Sequence, residues 1–171
     1  TWNYEMVRRD LHTLYEKAKR DQWDGAQLLA WGTGVDPEAE LLPDFQIPVY
    51  GTHIWEKLTP AEIRKLRVES LRWSLSNFMH GEQGALLATA QIVDCTPWME
   101  AKFYGATQVQ DEARHVEVFA RYLNEKLGGP YRINRNLKAL LDQILCEPRW
   151  DMKYLGMQIM VEGLAMAAFG F

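Results

Sequence analysis

The stretch Gln110-Asp111-Glu112-Ala113-Arg114-His115 places a carboxylate and an imidazole one helical turn apart. On a helix, residues three positions apart share a face, so Glu112 and His115 together make a ready site for a first-row metal ion. Glu82 strengthens this reading. It is the one formal charge between Phe78 and Val93. An ionised carboxylate in such apolar surroundings costs several kcal/mol, in order of magnitude, unless a cation compensates it. Glu162 is in the same position, as the only charged residue from Tyr154 to Phe171. Around each carboxylate, the residues one turn away are mostly apolar: Phe78, Met79, Ala85 and Leu86 for Glu82, and Val109 and Val116 for Glu112. Around Glu162 they are Ile159, Ala165 and Met166. A mixed Glu and His set suits iron or manganese better than structural zinc, which prefers Cys and His.

These side chains must be carried by long helices. Thr59-Pro60-Ala61-Glu62 has the form of a helix start, with a Thr cap, Pro in the first position and Glu in the third. No breaker follows until Thr96-Pro97, which predicts one helix of about 35 residues, roughly 50 Å long. A second helix is predicted from Pro97 to Leu127, where Gly128-Gly129-Pro130 stops it. Shorter helices are expected over 4–20 and 135–146, and a last one from Trp150 to the end. Residues 32–58, with three prolines, read as an irregular connection laid over the bundle. No strand pattern or short repeat appears, so the class is all-α: a helical bundle whose two long helices are antiparallel. Gly81, Gly84, Gly105 and Gly163 fall beside the candidate ligands. They leave room for an ion or substrate, or they let helices approach closely.

Composition narrows the function. A net charge of −4 gives no nucleic-acid surface. Two cysteines make no disulfide framework, and a reducing cytoplasmic setting is expected. Glu162 and Gln158 in the middle of the last apolar run argue against a membrane span. His80, two residues from Glu82, projects off the ligand face, and His12 and His53 have no carboxylate in register.

The order Glu82, then Glu112-x-x-His115, then Glu162 on successive helices resembles the ferritin-like di-iron carboxylate superfamily. That superfamily includes ribonucleotide reductase small subunits, bacterial monooxygenase hydroxylases, desaturases, arylamine N-oxygenases and ferritins. The similarity spans Glu82 to Glu162 and is carried best by DEARH, while residues 18–24 and Trp31 resemble the N-terminal region of its oxidase-type members.

The resemblance implies that Glu82 is a terminal ligand of the first iron, Glu112 a bridge and His115 its nitrogen ligand. It makes Glu162 a ligand of the second iron, and Asp111 a residue that orients a histidine of the opposite helix pair. These four ligands are then also the catalytic residues, with manganese as an alternative ion. It further implies a second Glu-x-x-His about 30 residues after Glu162. That position lies past Phe171, so 1–171 is expected to be an N-terminal piece of one ferritin-like domain whose fourth ligand helix is missing.

Where reductase subunits carry a radical tyrosine, this chain has Phe119, with Tyr104 and Tyr122 elsewhere on the same helix. The expected activity is therefore oxidation of a bound small organic or acyl substrate with dioxygen. Its partners would be a reductase that donates electrons and a second copy in a homodimer. A ferroxidase or iron-storage protein and a metal-free helical interaction protein are the alternatives.

Overall fold

The computed structural model describes residues 2–36, 38–39 and 41–169; Pro37 of the irregular connection and the last two residues of the closing apolar run lie outside them. The described residues form helices and no strands. They run α1 (Arg9–Arg20), α2 (Gly25–Leu28), α3 (Pro60–Cys95), α4 (Met99–Lys126), α5 (Arg135–Cys146), α6 (Trp150–Tyr154), a π-helical segment (Leu155–Val161) and α7 (Glu162–Phe169). The all-α bundle is as the sequence predicts.

The start of α3 carries the full reciprocal cap. Thr59 Oγ1 accepts from the Glu62 amide at 3.3 Å, and Glu62 Oε2 accepts from the Thr59 amide at 2.8 Å. Its 36 residues span about 54 Å. Thr96 ends it in an extended conformation, as the residue before a proline must. Helix α4 then begins at Met99 rather than at Pro97, because Trp98 is still extended and serves as the N-terminal cap. The far end of α4 is closed by Gly128 and Gly129, with φ of 78° and 95°, and by a bond from the Gly129 amide to the Leu123 carbonyl. Arg72 of α3 donates to both glycine carbonyls, at 3.1 and 2.6 Å, and ties this turn back to the long helix. The two long helices therefore lie antiparallel and pack along their length.

The first helix is shorter than the expected 4–20. Its amphipathic stripe does not extend to Met6 and Val7, which are exposed and lie before it. The reason is tertiary. The fully buried Glu100 of α4 accepts the Arg8 amide at 2.6 Å, which fixes that residue outside the helix. Connection 32–58 contains two short 3-10 turns and is pinned by Arg67 on Asp44, at 2.9 and 2.5 Å, and by buried Ile47. The last helix also differs from expectation: a π-helical stretch interrupts it, where bonds reach five residues back and turn the following side chains to a new bearing.

The glycines divide between the two readings. A Cβ on Gly84 would meet Leu141 at 2.6 Å, and one on Gly105 would meet Val93 at 2.7 Å, so these two serve close packing. Gly81 and Gly163 face open space. Gly81→Ala is therefore expected to stabilise the protein by up to about 1 kcal/mol through helix propensity. Gly84→Ala must displace Leu141 in the core with Ala85, Ala88, Ile144 and Met157, and should cost about 1–3 kcal/mol. Urea denaturation of the two variants checks the opposite signs.

Candidate metal centre

Helix α3 brings Glu82 against the face of α4 that carries Glu112 and His115. One ligand atom from each of the three lies within 4.8 Å of the others. His115 Nδ1 sits 3.0 Å from Glu82 Oε2 and 3.2 Å from Glu112 Oε2. Glu112 is buried, Glu82 nearly so, and the His115 side chain is 40% exposed, which leaves the imidazole reachable from one side.

Glu112 is held from behind by amides. Its Oε1 accepts from Gln108 Nε2 at 3.2 Å, Gln108 also donates to Gln158 Oε1 at 2.5 Å, and Gln158 Nε2 donates to buried Thr89 Oγ1 at 3.0 Å. The π-helical segment is what delivers Gln158 to this chain of bonds. On the open side, the Trp23 ring stacks on His115 with centroids 5.9 Å apart. Arg114 lies over Trp23, 5.6 Å from the ring centroid.

The electrostatics follow from this geometry. The bonds to Glu112 and then Glu82 raise the His115 pKa to about 10 against the effect of burial, so the imidazole is a cation in the metal-free protein. Burial raises the Glu112 carboxyl, and the neighbouring Glu82 adds to this, with His115 opposing. Burial pushes Glu82 the same way, but its bonds to His115 and Glu112 outweigh that and leave it lowered. Glu162 is raised to about 7 by burial and then by the negative charges of Glu112 and Glu82.

Of the residues singled out from sequence, Glu82, Glu112 and His115 are brought together. Glu162, the first residue of α7, stands outside that group but shares with Glu82 the wall of a cavity of about 380 Å3. Asp111 accepts from Arg114 Nη1 at 2.5 Å. It also lines a second cavity, of about 520 Å3, together with His115 and Tyr104. His80 is turned away, with Nε2 2.9 Å from the Tyr131 carbonyl. Phe119 stacks on Phe78 with centroids 6.4 Å apart. Gln108, Gln158, Thr89 and Trp23 were not foreseen. Two of them carried a signal: Gln158, a lone amide in an otherwise apolar run, and Trp23, inside the 18–24 stretch singled out from the sequence.

The donors suit a divalent first-row ion: two carboxylates and an imidazole nitrogen, with no Lys or Arg among the described residues paired to either carboxylate. The buried cation nearest in sequence to the last helix, Lys153, is taken up by Gln91 and the Leu145 carbonyl. Among the described residues, no helix is long and apolar enough to cross a membrane. Comparison with protein-family models, with curated proteins and with solved structures finds no match to this chain.

Proposed function

We propose that this chain belongs to a di-iron, dioxygen-activating oxidoreductase that hydroxylates, desaturates or N-oxygenates a small organic or acyl substrate. The observation that carries the reading is the part-buried grouping of Glu82, Glu112 and His115 on two antiparallel helices. Iron held there would supply the reduction of dioxygen and the oxidation of substrate.

The protein's own residues do the rest. Glu82 and Glu112 provide negative charge that favours a cation, and His115 offers Nδ1 once its proton leaves. Gln108 and Gln158 fix the orientation of Glu112. Phe78, which lines the same cavity as Glu82, stacks on Phe119 and gives that side of the site an apolar surface. Glu162, with a pKa of about 7, can hold or release a proton beside Glu82 near neutral pH.

Three grouped donors suffice for one ion. A second ion would draw on Glu162, a share of Glu112 and donors beyond these four, from further chain or from a second copy. Manganese in place of iron, a reductase as electron source, a homodimer and a cytoplasmic setting belong to the same proposal.

A second reading has its own support. Protonated His115 already satisfies both carboxylates, as a metal-free interaction protein would require.

Oxygen uptake separates the readings. Ferrous-loaded protein supplied with reductant should consume dioxygen and retain its iron, and Glu112→Ala should not consume it. Release of ferric ion into solution would favour iron handling, and no uptake by loaded wild type would contradict the proposal.

A further inference from the structure

Two clefts open on α3 and share part of their lining. The first, about 380 Å3, has Glu82 and Glu162 in its wall with Phe78, Leu137 and Leu164. The second, about 480 Å3, lies nearer the start of α3, beneath Ile47, Pro48 and Leu66. Trp73 and Ser74 line both, so the two are neighbours along one helix. From Leu66 to Glu82 the helix rises about 24 Å. Gly81 leaves the end beside Glu82 open, since a Cβ there would meet nothing within 4 Å.

The charge in this groove has one sign. Its ionisable lining residues are Glu82, Glu162 and Glu69, with Tyr131, and no Lys, Arg or His is among the described residues that line it. Arg72, which pairs with Glu69 at 3.5 Å, is already engaged by the Gly128 and Gly129 carbonyls. An anionic head group would find carboxylates at both ends and no cationic side chain in the described lining to pair with.

We propose that the joined clefts bind one elongated, non-anionic aliphatic molecule, laid along α3 with one end beside Glu82 and Glu162. This names the substrate class for the metal reading and rests on it for what happens at that end, while the binding itself needs no ion.

The test uses metal-free protein and straight-chain primary alcohols from hexanol to eicosanol, with displacement of Nile red as the readout. Affinity should rise about fourfold per added methylene until the chain fills both clefts, and then level off. The carboxylate of equal chain length should bind on the order of tenfold more weakly. Ser74→Trp, at the junction, should make the plateau begin at a shorter chain. Leu140→Glu, at the 42% exposed rim, should weaken every alcohol and decides the matter if the tryptophan variant does not fold.

Affinity that ignores chain length, a carboxylate that binds as tightly as its alcohol, or variants that behave as wild type would overturn the proposal. Failure to load iron with the chain-length dependence intact would remove the metal reading and leave the groove standing. Iron loading with no chain-length dependence would do the reverse.

Discussion

Replacing Glu112 by alanine is expected to weaken ferrous binding by more than about a hundredfold. Residues that only orient a ligand are worth 10- to 100-fold, and Glu112 is the buried carboxylate at the centre of the group. His115→Ala should do the same, because it removes the imidazole nitrogen that lies within reach of both carboxylates. His80→Ala should stay within about twofold of wild type, since that ring is turned to the Tyr131 carbonyl. Anaerobic equilibrium titration of the three purified variants measures this. Retained iron in the Glu112 variant would remove it from the ligand set.

Metal affinity should also climb steeply with pH. A divalent ion needs the neutral imidazole, and His115 keeps its proton up to about pH 10 in the metal-free protein. Each proton that must leave contributes about tenfold per pH unit below its pKa. Glu162, at about 7, adds a second such proton if it ligates. The logarithm of affinity against pH should therefore have a slope near two below about pH 7 and near one above it. A slope of one throughout would leave Glu162 out of the site.

The stability of the metal-free protein should move the other way. The His115 contribution is fully present below its unfolded value of 6.5 and is lost as pH rises through about 10. Glu162 acts in the same direction between 4.5 and about 7, because burial penalises its ionised form. The melting temperature of the metal-free protein should thus fall from pH 7 to pH 10, while bound metal offsets the loss.

The long helices were legible because their punctuation is local. Thr59-Pro60-Ala61-Glu62 encodes a cap in four residues, and Pro97 and Gly128-Gly129 forbid continuation. Two boundaries differ from the sequence reading where distant residues intervene: Arg8 is held out of α1 by Glu100, ninety-two positions away, and α4 starts only after Trp98, which stays extended and packs on Trp150 and Arg8. The π-helical segment left no sign in the sequence, since no residue type marks the place where bonds reach five residues back and turn the later side chains to a new bearing.

At the site, Glu112 and His115 were legible from their spacing on one helix, and Glu82 from its isolation among apolar neighbours. The bond chain through Thr89, Gln158 and Gln108 was not, because it joins three elements whose register is set by packing. Trp23 reaches His115 from the segment between α1 and α2, which no periodicity could place. Asp111 pairs with Arg114, three residues on along the same helix.

The central claim is that Glu82, Glu112 and His115 form a metal site and not merely an ion pair closed by a proton. Elemental analysis of anaerobically purified protein, loaded with ferrous ion at about pH 8 and desalted, tests it most directly. The account predicts iron retained in at least equimolar ratio to the chain in wild type and lost from both the Glu112 and His115 variants. Wild-type protein that emerges folded and free of iron would contradict it.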